Sequence, residues 1–80
     1  MIKEMRLPAQ IIINLREGET TESLSKRLGY NINNSYKTYR KLEENGYLLR
    51  VWAGGKKRNY LTIKGKKIKT QIKKLLRVVN

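Results

Sequence analysis

The sequence predicts a mainly α fold with one β-hairpin, in the order helix, helix, helix, hairpin, helix. Three observations predict it. Apolar residues recur at helical spacing in four stretches, the longest being Ile68, Ile72, Leu75, Leu76 and Val79. Gly18, Gly29 and Asn45-Gly46 punctuate the chain between the first stretches. Two runs of β-formers flank Gly54-Gly55.

Leu7-Pro8 opens the first helix, since proline in a first turn gives up no hydrogen bond. Ile11, Ile12 and Leu15 supply its apolar face, and Gly18 sets its expected end, giving residues 8–17. Thr20 or Thr21 caps a second helix over 21–28, with Glu22 in its first turn and Leu24 and Leu28 one turn apart. Asn31 caps a third helix, 32–45, which nothing interrupts before Asn45-Gly46. Ser35, Tyr39 and Leu42 form its inward stripe; Lys37, Arg40 and Glu44 lie opposite, with Asn33 and Tyr36 flanking them.

A hairpin over 47–63 follows. A two-residue Gly54-Gly55 loop places Leu48 opposite Leu61 and Leu49 opposite Tyr60. Both faces then carry apolar residues, so the pattern leaves open which one the helices cover. Thr62 caps a last helix, 63–79, whose lysines fill the face opposite its apolar stripe.

Eighty residues suit one domain, 1–80, near the lower limit for a chain that folds on a hydrophobic core alone. With neither cysteine nor histidine, disulfides, thiolate metal sites and the commonest general base are excluded. No enzyme, cofactor or metal site is expected. The formal net charge is +13, unevenly placed: residues 50–80 hold eleven cations and no acid. Such asymmetry points to a polyanionic partner, nucleic acid before anionic membrane. No stretch approaches the roughly 18 apolar residues of a membrane span, and residues 1–19 lack a signal-peptide core. A cytoplasmic protein without a membrane partner is expected.

Two short helices joined by a tight turn, the second with a basic polar face, fit a helix-turn-helix. From Thr20 to Arg50, TTESLSKRLGYNINNSYKTYRKLEENGYLLR resembles the core of winged helix-turn-helix transcription regulators. In these, a Thr-x-x-x-Leu helix leads through a glycine turn to a recognition helix closing on Leu-Glu-x-x-Gly. The later NYLTIKGKK resembles the Leu-Thr-x-x-Gly boundary after the wing in MarR-type and PadR-type regulators. The resemblance implies that residues 32–45 enter a DNA major groove, that the wing touches backbone or minor groove, and that the last helix dimerises. Ser35 stands where the family usually has Val or Ile, which implies that this part of the core is looser or locally shifted. The chain lacks the additional helices that form effector pockets in larger members, so no small-molecule effector is implied.

The chemistry of base edges then selects candidates. Asparagine pairs with adenine and Arg or Lys with guanine, so Asn33, Tyr36, Lys37 and Arg40 are expected base readers, with Asn34 and Lys41 on phosphate. First-turn helix polarity accounts equally for Asn33 and Asn34, and sideways packing for Tyr36. Thr20 and Thr21 either bind phosphate at a helix N-terminus or simply cap it. In the wing, Gly54 and Gly55 let backbone approach a partner, Lys56 and Lys57 meet phosphate, Arg58 enters a minor groove, and Arg50 holds a further phosphate. Trp52 packs on deoxyribose or lysine stems, or covers the sheet, with a place in the core or on the sheet favoured.

The stripe Ile68, Ile72, Leu75, Leu76, Val79 either pairs with a second copy or packs on Ile11, Ile12 and Leu15 of its own chain. A sequence-specific regulator of double-stranded DNA, as a homodimer, is the expected function. The alternatives are a non-specific architectural DNA coat, an RNA or protein adaptor, and a membrane-surface helix.

Overall fold

The computed structural model describes residues 6–79, with side chains through Leu76. Its elements are α1 (Leu7–Asn14), β1 (Glu19–Thr20), α2 (Thr21–Leu28), α3 (Ile32–Glu44), β2 (Leu48–Ala53), β3 (Lys56–Leu61) and α4 (Ile63–Val79). The strands form one antiparallel sheet in the order β1-β3-β2. No helix among the described residues is long and apolar enough to cross a membrane.

The first helix ends at Asn14, three residues before the expected Glu17. Leu15 leaves helical geometry (φ −63°, ψ 126°) and buries its side chain in the core. The chain then turns tightly, Glu19 N–H donating to the Arg16 carbonyl at 2.9 Å, and Gly18 N–H donates to the Asn59 carbonyl at 2.9 Å. Gly18, at φ +77°, therefore serves this turn and does not terminate the helix. The turn delivers Glu19 and Thr20 to Asn59 and Arg58 of β3, so the hairpin is the larger part of a three-stranded sheet that the sequence did not show.

Both middle helices are capped by side chains. Thr20 Oγ1 accepts from Ser23 N–H at 3.1 Å, and Asn31 Oδ1 accepts from Asn33 N–H at 2.9 Å. The third helix ends at Glu44, with Asn45 its non-helical cap and Gly46 at φ +81° completing the turn. The hairpin itself is narrower than 47–63: its strands run 48–53 and 56–61 around Gly54 (φ +63°) and Gly55 (φ +75°). Two positive φ values define the tight turn whose twist matches paired strands. Leu48 pairs with Leu61 and Leu49 with Tyr60, as the two-residue loop predicts.

The core joins Ile11, Ile12 and Leu15 of the α1 segment, Leu24 of α2, Tyr39 and Leu42 of α3, and Leu48 of β2. Each fully buried aliphatic side chain contributes roughly 1.5–3 kcal/mol. The helices cover the sheet face bearing Leu48; Leu49, on the other face, is 55% exposed. Ser35 is buried, at 1% exposed. Its hydroxyl donates to the Ile32 carbonyl at 3.0 Å and lies 3.2 Å from Ser25 Oγ, which lies 3.3 Å from the Tyr39 hydroxyl. A buried hydroxyl cluster occupies the place of a branched aliphatic side chain.

The α4 stripe divides. Ile68 and Ile72 pack on the core, whereas Leu75 is 65% exposed. The Val79 side chain lies outside the described residues. Thr62 Oγ1 accepts from Gly65 N–H at 3.0 Å, capping α4, and donates to the Gly46 carbonyl. Lys64 Nζ donates to the Asn45 carbonyl at 2.7 Å and lies 4.7 Å from the Tyr47 ring centroid. These contacts join the start of α4 to the end of α3.

Candidate nucleic-acid interface

Helix α3 presents a largely polar outer surface because Tyr39 and Leu42 lie on the opposite, buried stripe. Asn33, Asn34, Tyr36, Lys37, Arg40 and Lys41 are all exposed, while Ser35, Tyr39 and Leu42 are buried. Asn31 carries the capping role, so the Asn33 and Asn34 side chains are not consumed by it. Lys37, Arg40 and Lys41 line one shallow depression together with Glu44.

A second depression, of about 270 Å³, lies between α3 and the wing. Tyr36, Arg40 and Glu43 line it from the helix, and Arg50, Trp52 and Lys57 from the strands. Alternation along β2 explains the strand side. Leu48, Arg50 and Trp52 share one sheet face with their register partners Leu61, Asn59 and Lys57. Along that face burial falls from Leu48, at 2% exposed, through Arg50, at 8%, to Trp52, at 68%.

Trp52 therefore does not cover the sheet. Lys57 Nζ lies 5.4 Å from its ring centroid, so the pair that forms is the one between the ring and a lysine. Lys56 is exposed beside the glycine turn.

Three expected contact residues are placed elsewhere. Arg50 is buried: its Nε donates to Asn59 Oδ1 at 3.0 Å, its Nη2 donates to Thr21 Oγ1 at 3.0 Å, and its guanidinium sits over Tyr39 (5.4 Å) and Tyr36 (5.9 Å). Burial lowers its pKa below the usual arginine value. Thr21 is 2% exposed, and its hydroxyl oxygen also accepts from Asn59 Nδ2 at 3.1 Å. Arg50 and Thr21 are both buried, where they tie the wing to the helix-turn-helix. Arg58 alternates onto the opposite sheet face, and its Nη1 donates to the Gly18 carbonyl at 3.1 Å. It is thus set back from the tip, unlike the minor-groove insertion expected of it. Thr20 remains part-exposed at the start of α2, with its hydroxyl oxygen capping that helix.

Below the interface, Glu19 fixes the turn that makes β1. Its carboxylate accepts from Arg27 Nε at 2.8 Å and Nη2 at 2.7 Å, from Ser23 Oγ at 3.0 Å and from Arg16 N–H at 3.2 Å. The Arg27 hydrogen bonds, against an opposing desolvation effect, hold its pKa at about 2. Burial raises the Tyr39 hydroxyl above its ordinary value. Sequence reasoning missed this ion pair and Glu43 in the cleft, because both depend on residues brought together by β1 and the wing.

No protein-family model matches the chain, and no curated protein does. Solved structures do. A MarR transcriptional regulator from Methanosarcina mazei Go1 is 28% identical, with a TM-score of 0.80 over 88% of this chain and 54% of that one. FabT of Streptococcus pneumoniae, solved in complex with DNA, is 22% identical with a TM-score of 0.77 over 96% of this chain and 58% of its own. AF1382 from Archaeoglobus fulgidus is 20% identical with a TM-score of 0.86, over 99% of this chain and 96% of that one. The chain thus spans little more than half the length of the two regulators, and nearly all of AF1382. Its four helices and hairpin wing are the winged helix-turn-helix fold that the MarR-type transcription regulators share.

Proposed function

We propose that this chain binds double-stranded DNA in a sequence-specific manner and regulates transcription as a homodimer. One observation carries the reading: the exposed surface of α3 holds six polar, cationic or phenolic side chains on a helix whose reverse side is anchored in the core. A major groove admits one such helix, and Asn33, Tyr36, Lys37 and Arg40 then meet base edges. Asn34, Lys41, Lys56 and Lys57 meet phosphate, and the start of α2, at Thr20, takes a further one. Arg50 and Thr21 hold the wing in register with α3. Fold likeness to FabT, solved with DNA, supports the partner.

Ile68 and Ile72 pack partly on their own core, and Leu75 is the exposed member of the α4 stripe among the described side chains, so the proposed dimer contact centres on it. A second reading, non-specific coating of DNA, draws on the eleven cations and no acids of residues 50–80. Selection of bound duplexes from a randomised library at physiological salt separates the two. An inverted repeat with half-sites about one helical turn apart is expected. Retention without enrichment overturns specificity, and no retention of duplex overturns the reading.

A further inference from the structure

The geometry points to the cleft between α3 and the wing as a binding site for one unstacked nucleotide, its base on Trp52 and Tyr36 and its phosphate on Arg40 and Lys57. This rests on the proposal that the surface binds DNA, and adds a class of substrate to it: single-stranded or bulged DNA.

Three features of the cleft converge. Its two aromatic rings stand on different elements and are both exposed, Tyr36 at 42% and Trp52 at 68%. An indole left so open forgoes the burial that such a large apolar surface normally finds, unless a ligand completes it. Each ring also has a cation at one face: Lys57 Nζ 5.4 Å from the Trp52 centroid, and the Arg50 guanidinium 5.9 Å from that of Tyr36. The cations orient the rings and leave indole surface for a second planar group.

The size and charge agree. At about 270 Å³ the cleft falls just under the roughly 300 Å³ lower bound of small-molecule sites. Arg40 and Lys57 supply the charge for the phosphate, while Glu43 offers an acceptor to an exocyclic amino group. In intact duplex the faces of the bases are buried in the stack and only their edges are offered. An exposed indole in a cationic cleft matches a base out of the stack, because every base has a π-face and stacking is indifferent to sequence.

Trp52 is the chain's single tryptophan, so its fluorescence reports this site alone. The full chain is titrated with an oligodeoxycytidine of about eight nucleotides. It is also titrated with a duplex of about 20 base pairs, intact or carrying one unpaired cytosine. Affinities come separately from the anisotropy of labelled DNA. Strong quenching is expected with the single strand and the bulged duplex and little with the intact one. Trp52→Ala should weaken the first two by about tenfold or more and the intact duplex by less than about twofold. Trp52→Phe should recover part of the loss. The site is overturned if the single strand fails to quench, or if Trp52→Ala weakens all three DNAs alike, which would mean sugar packing. Failure of the wild-type chain to bind intact duplex would instead sink the regulator reading, whatever the fluorescence shows.

Discussion

Arg50 Nη2 donates to Thr21 Oγ1 across 29 residues of sequence, and Asn59 Nδ2 donates to the same oxygen. One threonine hydroxyl thus joins α2 to both long strands of the wing. Thr21→Val keeps the shape and removes the acceptor, leaving a guanidinium N–H and an amide N–H buried without a partner. A loss of about 2 to 3 kcal/mol is expected in urea unfolding. Thr21→Ser, which retains the oxygen, should lose less than half as much. Equal losses would mean that the methyl group matters and the hydrogen bonds do not.

Gly65 lies inside α4 with the Tyr47 carbonyl oxygen and the Leu61 side chain where its Cβ would stand. Gly→Ala in a helix ordinarily stabilises by about 1 kcal/mol. Here the sign should invert, with Gly65→Ala costing about 1 to 3 kcal/mol, since backbone must shift to admit a methyl. A raised melting temperature would show that α4 slides freely on the α3–β2 turn. The Leu-Thr-x-x-Gly pattern of residues 61–65 acquires a physical reason: Thr62 caps the helix and Gly65 lets it lie against the turn.

Glu19 sets an acid limit. Its folded pKa of about 2 lies below the ordinary 4.5, so its contribution to stability is complete above pH 4.5 and is lost as pH falls toward 2. Allowing for the part-exposed Arg27, about 1 to 2 kcal/mol is at stake. Glu19→Gln should lower stability at pH 7 by that amount and flatten the dependence between pH 4.5 and 2. Parallel profiles for the two proteins in urea titrations would refute the role.

Much of this was legible in the chain. The register of Leu48 with Leu61 followed from two adjacent glycines, because a loop of that length admits few pairings. Ser35 was placed in the buried stripe by spacing alone, although its hydroxyl partners were not visible. What could not be read depended on partners distant in sequence. Arg50 looks like any surface cation until Asn59 and Thr21 surround it. Two residues of β1 carry no periodicity, and only Asn59 and Arg58, some 40 positions on, make them a strand. The covered face of the hairpin was ambiguous for the same reason: both faces read as apolar, and a buried arginine marks the inner one.

The two classes of proposed DNA contact should separate experimentally. Arg40→Ala should reduce discrimination at one base position by about 1 to 3 kcal/mol. Lys56→Ala, at the exposed tip, should weaken all sequences alike and lower the slope of log affinity against log salt by about one. Binding assays across a panel of single-base variants and salts decide; a uniform effect from both changes would remove α3 from base readout.

Leu75 tests the proposed dimer. It is 65% exposed on a helix whose Ile68 and Ile72 pack on the core. Leu75→Glu should turn a dimer into a monomer in sedimentation at tens of micromolar without altering the melting of the isolated subunit. A wild-type chain that sediments at 9.4 kDa would end the homodimer proposal.

The sheet ends in β2, where Leu49 and Val51 stand exposed and the strand's only charge, Arg50, is turned inward. Strand edges usually carry a lysine or proline to discourage pairing with a neighbour. Here mutual repulsion between molecules of charge +13 takes over that duty. Added salt screens that repulsion. Concentrated stocks should therefore stay clear in dilute buffer and turn turbid in the high-salt solutions normally chosen to strip nucleic acid from a basic protein.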